Sequence, residues 1–224
     1  VDIQAFIFDL DGVITDTAEF HFLAWKQLAD EEGIPFTRED NEQLRGVSRR
    51  ESLRRMLKGR PIDEPTAEAW MERKNNYYKH YLETITPDNV LPGVMPFLKE
   101  AKEKGIRLGI GSASKNAKTV LERLGILNVF DGIGDGYSVV NTKPAPDLFV
   151  WVAGRLDVPP PQAVVFEDAE AGVEAALAAG FWAVGVGTAN VARAHVVAQK
   201  GLEALTVNGL LEQLNGLAAH TTPG

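Results

Sequence analysis

The 224-residue sequence predicts an α/β fold, a mainly parallel sheet interrupted straight after its first strand by an all-helical insertion. Two patterns predict it. Short apolar runs, among them "AFIF" (5–8), "IRLGIG" (106–111), "AVVFED" (163–168) and "FWAVGVG" (181–187), alternate with helical stretches, as βαβ units do. Between residues 17 and 85, by contrast, apolar residues recur at helical spacing and no strand-like run occurs.

The elements follow in order. "AFIF" is a buried strand, and "DLDG" closes it with an acidic loop. From about residue 17 Phe20, Leu23, Ala24, Leu28 and Ala29 mark a helix that Gly33 and Pro35 stop. Three further helices are expected over 38–45, 48–58 and 65–84. After "LPG" (91–93) a helix over 94–104 leads into the strand 106–111, then a helix over 116–124. "VFDGIGD" (129–135) reads as a short strand with its loop. Helices over 146–156 and 170–179 then precede the strands 163–168 and 181–187, and "AAHTTPG" (218–224) reads as a frayed tail. The domains expected are therefore a core of 1–16 with 86–224 and an insertion of 17–85.

Composition narrows the function. Apolar residues at 45% and charged residues at 24% are ordinary for a globular chain. No apolar run is long enough to cross a bilayer, and no signal peptide opens the sequence, so no membrane role is expected. The absence of cysteine removes disulfides and thiolate metal sites and makes a soluble cytoplasmic enzyme the default expectation. A formal charge of −8 argues against a nucleic-acid partner.

In an open α/β sheet, ligands bind outside the carboxyl ends of the strands, so the loops there are read together. They carry Asp9 and Asp11, then "SASKN" with Ser112, Ser114, Lys115 and Asn116, then Lys143, then Glu167 and Asp168. Converging carboxylates repel unless a cation joins them, and oxygen donors without cysteine suit Mg²⁺. A Mg²⁺ held by Asp9 and Asp168 would neutralise an approaching phosphate, and a carboxylate can then attack phosphorus. Lys143, Ser112 and loop amides can face the oxygens of the transferring group, and Asp11 can exchange the proton. Each motif also has a plain structural use. An Asp pair before glycine makes a turn, and Glu167 and Asp168 can cap a helix. The spacing excludes an EF-hand, and "GVGTAN" (185–190) lacks the third glycine of a dinucleotide site.

"DLDGVITDT", "SASKN", "KPAPD" and "FEDAEAG", in this order, resemble the four motifs of the haloacid dehalogenase superfamily, in its helical-cap subclass. The resemblance spans nearly the whole chain. It implies a Rossmann-like core with an inserted four-helix-bundle cap and Mg²⁺-dependent phosphoryl transfer through an aspartyl-phosphate at Asp9. It further implies metal ligation by Asp9, the Asp11 carbonyl, Glu167 and Asp168, with Asp11 as general acid/base. Ser112 and Lys143 would hold the transferring phosphoryl group, and Ala113, Ser114, Lys115 and Asn116 the substrate's other phosphate. In the cap, "NEQLRGVSRRESL" and "RKNNYY" point within the superfamily to a sugar phosphomutase. They imply that Arg49 grips phosphate, Lys74 meets the sugar, His21 couples to Asp11, and Gly46, Val47 and Ser48 form a specificity loop, with Thr17 at the hinge.

The expected reaction interconverts β-glucose 1-phosphate and glucose 6-phosphate, with β-glucose 1,6-bisphosphate as activator and intermediate. A sugar-phosphate phosphatase and a catalytically silent sugar-phosphate binder are the alternatives. The expected partner is a small sugar phosphate and the expected state a monomer. Residues 38–60 hold eight Lys or Arg against four Asp or Glu, a local +4 suited to an anion. Arg54, Arg55 and Arg60 read as a solvated face. Arg49 is the better match to the phosphate-binding position, although Arg50 beside it carries the same charge.

Overall fold

The computed structural model of the chain describes residues 1–187 and 191–221. Its sheet comprises β1 (Ala5–Phe8), β2 (Arg107–Gly111), β3 (Gly132–Gly134), β4 (Ala163–Glu167), β5 (Trp182–Val186) and β6 (Val196–Ala198). Every strand pair is parallel and the order is β3-β2-β1-β4-β5-β6. The chain therefore builds outward from β1 on one side, then crosses back to continue from β4 on the other. The junction of β1 and β4 is the switch point, where the crevice of such a sheet opens.

Strand alternation loads both faces of the sheet. Phe6 and Phe8 join Phe97 of α5 (Val94–Glu103), Val120 of α6 (Ala117–Arg123) and Leu210 of α9 (Val207–Thr221) in one buried cluster. Ala5 and Ile7 face Phe149 and Val152 of α7 (Asp147–Arg155) and Val173 of α8 (Glu170–Ala178) in another.

The insertion has a separate apolar cluster, built from α1 (Ala18–Glu31), α3 (Arg49–Leu57) and α4 (Glu64–Leu82), with Trp25, Leu28, Leu53, Met56 and Met71 among its members. Each such buried side chain contributes about 1.5–3 kcal/mol. Local chemistry sets the helix ends. Thr37 and Asp40 form a capping box on α2 (Arg38–Glu42), and Ser48 and Asp63 accept amide hydrogen bonds at the starts of α3 and α4. The two connections to the core run side by side: Thr15 Oγ1 donates to Asn89 O (2.8 Å) and the Leu91 amide to Ile14 O (2.9 Å).

Three expectations need correction. The helix expected over 38–45 stops at Glu42, because residues 43–46 turn and Gly46 adopts φ +71°. No strand was expected at 196–198, and no helix at 207–221. The tail read as frayed is helical over 218–221, while 222–224, like 188–190 of "GVGTAN", lie outside the described residues.

Candidate active site

The switch point puts four carboxylates at one place. Asp9 follows β1, and its amide donates to Phe166 O (2.9 Å), which sets it beside Glu167, the last residue of β4. Two glycines make room for the neighbouring carboxylates. A Cβ on Gly12 would stand 2.1 Å from Asp168 Oδ2, and one on Gly172 would stand 2.0 Å from Glu167 Oε1. Oxygens of Asp9, Glu167 and Asp168 lie within 4.8 Å of one another, and all three residues are buried.

Lys143 supplies the nearest positive charge. It is 1% exposed and donates to Asp9 Oδ1 (2.7 Å) and Glu167 Oε1 (2.5 Å), and the Ala169 amide completes Glu167 at 2.8 Å. Burial works against that charge, but the facing carboxylates of Asp9 and Glu167 outweigh it and raise the Lys143 pKa above its ordinary value. The carboxylates still outnumber it. Burial, only partly offset by Lys143, holds the Asp9 carboxyl well above the usual range. Asp168 is pushed up to about 7 by burial and by Glu167, against the pull of Arg45, whose Nη2 donates to Asp168 Oδ2 at 2.5 Å. Three buried carboxylates with a deficit of positive charge and only hard oxygen donors fit a divalent cation such as Mg²⁺.

Side chains from the cap surround Asp11. Asp11 Oδ2 faces His21 Nε2 at 3.7 Å, while Asp11 Oδ1 is buried without a hydrogen-bond partner among the described residues. His21 stacks on Tyr78 (4.0 Å, 19°), and its Nδ1 lies 2.8 Å from Lys74 Nζ. An ammonium only donates, so a charged Lys74 makes Nδ1 the acceptor and places the ring proton on Nε2, toward Asp11. Burial, then Lys74, lowers the His21 pKa, and burial, then Arg49, holds Lys74 well below its ordinary value.

Core and cap enclose a crevice that is partly open to solvent. Of the residues expected from sequence, Asp9, Asp11, His21, Gly46, Val47, Arg49, Lys74, Ser112, Ala113, Ser114, Lys115, Asn116 and Asp168 line it. Four do not. Lys143 and Glu167 sit fully buried behind Asp9, Thr17 is buried at the start of α1, and Ser48 spends its hydroxyl capping α3. Ser112 Oγ accepts the Ser114 amide and Ser114 Oγ the Asn116 amide, both at 3.1 Å, which curls this loop against the crevice. Helix geometry separates the two adjacent arginines: Arg49 lines the crevice, whereas Arg50 turns outward to Glu64 and Glu68. Arg54 and Arg55 pair with Glu51.

Sequence reasoning missed Ala18, Trp25, Asn41, Leu44, Arg45 and Ser52, which also line the crevice, and Asn75 behind it. Asn41, Leu44, Arg45 and Ser52 lie within "NEQLRGVSRRESL" and Asn75 within "RKNNYY", but nothing in those motifs attached a role to them.

Comparison with known proteins places the whole fold in one family. A family model described as haloacid dehalogenase-like hydrolase matches residues 3–180. The β-phosphoglucomutase of Bacillus subtilis is 46% identical over 188 residues, covering 82% of this chain and 83% of that protein. A phosphorylated carbohydrates phosphatase of Thermotoga maritima is 34% identical over 179 residues, covering 79% and 82%. Among solved structures, a β-phosphoglucomutase from Clostridium difficile superposes with a TM-score of 0.93 at 40% identity, covering 97% of this chain and 99% of that one.

Proposed function

The chain belongs to the family of haloacid dehalogenase-like hydrolases, and on that footing we propose that it acts as a β-phosphoglucomutase. Residues 17–85 serve as the cap, and 1–16 with 86–224 as the catalytic core. The observation that carries the reading is the position of Arg49, which shares one crevice with the Ser112–Asn116 loop. Arg49 lines the crevice on the cap side and its hydrogen bond goes to a neutral amide, so its charge stays available opposite Ser114, Lys115 and Asn116. A phosphatase acting on a monophosphate needs one phosphate site. A mutase needs two, because its bisphosphate must bind in both orientations.

In the cycle, phosphorylated Asp9 donates to the 6-hydroxyl of β-glucose 1-phosphate while Asp11 removes that hydroxyl's proton. The bisphosphate turns over. Asp9 then attacks the phosphorus at the 1-position, the bond from phosphorus to the sugar oxygen breaks, and Asp11 returns the proton to that oxygen, leaving glucose 6-phosphate. Lys143 fixes the Asp9 carboxylate by Oδ1, so its presentation to the crevice is set before substrate arrives. Ser112 and the amides of its loop bind the transferring oxygens. Arg49, with Ser114, Lys115 and Asn116, binds the phosphate that is not reacting. His21, oriented by Lys74 and Tyr78, holds Asp11 in its proton-exchanging position. Closing the cap excludes water, which would otherwise accept the phosphoryl group. Asp9, Asp168 and the Asp11 carbonyl, with Glu167 behind them, would hold Mg²⁺, whose charge offsets that of the phosphoryl group.

No helix among the described residues is long and apolar enough to cross a membrane. The reading carries with it a cytoplasmic monomer acting on a small sugar phosphate and activated by β-glucose 1,6-bisphosphate. The test supplies β-glucose 1-phosphate, Mg²⁺ and a trace of the bisphosphate and follows glucose 6-phosphate and free phosphate together. Isomerisation without matching phosphate release is expected. Steady phosphate release without isomerisation would make the protein a phosphatase.

A further inference from the structure

Asn75 follows Lys74 on α4, is 6% exposed and stands behind the crevice wall. Its Oδ1 accepts from Arg49 Nη2 at 2.8 Å and from Asn116 Nδ2 at 3.0 Å. A guanidinium only donates, so the atom facing Arg49 must be the amide oxygen. Arg49 begins α3 in the cap, and Asn116 precedes α6 in the core. One carbonyl oxygen thus joins both halves of the proposed second phosphate site across the cap–core boundary.

The partner's neutrality is the informative part. In the basic segment, Arg38, Arg45, Arg50, Arg54, Arg55 and Lys58 all pair with carboxylates. Arg45 and Arg49 both line the crevice, but where Arg45 meets Asp168, Arg49 meets an amide in the carboxylate's place. An amide satisfies one guanidinium N–H and leaves the net charge uncancelled. A carboxylate would form a stronger, charge-assisted bond and neutralise it. An apolar side chain would leave a buried donor unpaired.

We infer that Asn75 is a positioning residue: it aims Arg49 at the non-reacting phosphate and clasps the cap to the Asn116 loop without consuming the arginine's charge. This rests on the mutase reading for the name of the substrate, but the effect on anion binding does not. The test uses Asn75→Asp in the full chain and in an Arg49→Gln background. It reads the dissociation constant for glucose 6-phosphate by calorimetry and, in parallel, KM and kcat for β-glucose 1-phosphate.

In the otherwise native chain, Asn75→Asp is expected to weaken glucose 6-phosphate binding by about tenfold and to raise KM more than it lowers kcat. In the Arg49→Gln background the same substitution should cost less than about twofold, because the charge it cancels is already gone. Equal losses in both backgrounds, or native binding by Asn75→Asp, would overturn the inference. If Asn75→Asp does not fold, Asn75→Ser keeps a neutral acceptor that is too short. It should weaken binding less than tenfold and again only when Arg49 is present, with equal losses in both backgrounds counting against the clasp. An Arg49-dependent loss of binding supports the clasp even in a protein that proves to be a phosphatase. Native binding by Asn75→Asp in a working mutase removes the clasp alone.

Discussion

Replacing Gly12 by alanine separates the two uses of this glycine. Gly12 has φ +80°, and a Cβ there would lie 2.1 Å from Asp168 Oδ2 and 2.6 Å from its Cγ. The left-handed backbone costs an L-residue about 1–2 kcal/mol. At ~2–4 °C per kcal/mol for a chain of this size, the backbone effect lowers Tm by about 2–8 °C. The steric effect is different in kind. To clear the methyl group the Asp168 carboxylate must swing away, which breaks its contact with Arg45 and removes one member of the Asp9–Glu167–Asp168 cluster. Loss of an oriented ligand should weaken Mg²⁺ by at least about tenfold. Gly33→Ala is the matched control, since Gly33 has φ +63° and nothing within 4 Å of its Cβ position. Both variants are melted with and without Mg²⁺, and activity is titrated with Mg²⁺. Both should lose thermal stability, and only Gly12→Ala should lose metal activation. Native half-saturation by Mg²⁺ in Gly12→Ala, or an equal shift in Gly33→Ala, would refute the steric reasoning.

Asp9→Asn should abolish turnover while the far-UV circular dichroism stays native, because the amide replaces the carboxylate in nearly the same volume. Lys143→Met strips the cation from two buried carboxylates and should destabilise the metal-free protein by about 3–5 kcal/mol in denaturant melts. The pH dependence of the metal-free protein follows from Asp168, whose folded pKa of about 7 lies above the ordinary value of 3.8. The folded state then binds more protons at Asp168 between those values, so the contribution of Asp168 to stability is fully present below pH ~4 and falls as pH rises toward ~7. Thermal melts in chelator should show that fall, and saturating Mg²⁺ should flatten it. Arg49→Ala should raise KM at least tenfold, whereas Arg50→Ala removes only exposed pairs and should change stability by less than about 1 kcal/mol, with KM unchanged.

Some elements could be read one residue at a time. "AFIF" is fully buried as four consecutive apolar residues suggest, and the helical period between 17 and 85 corresponds to helices packed on a cluster separate from the sheet. β6 escaped notice because a three-residue edge strand with Val197 40% exposed has no period to detect. α9 does carry buried Val207, Leu210 and Leu214 at helical spacing, but Gly209 and Gly216 interrupt the pattern.

What the sequence by itself determined was the order of elements, the position of the acidic loops at strand ends and the types of donor available to a phosphate. These depend on periodicity and turn chemistry, which act between residues a few positions apart. Tertiary structure decided which charges meet: Lys143 reaches Asp9 across 134 positions, Arg45 reaches Asp168 across 123, and Asn75 ties Arg49 to Asn116. It also set how the two adjacent arginines turn, Arg49 into the crevice and Arg50 out to Glu64 and Glu68. Such pairings depend on how whole elements pack, because burial makes an unpaired charge or donor costly only once the chain has brought it out of water.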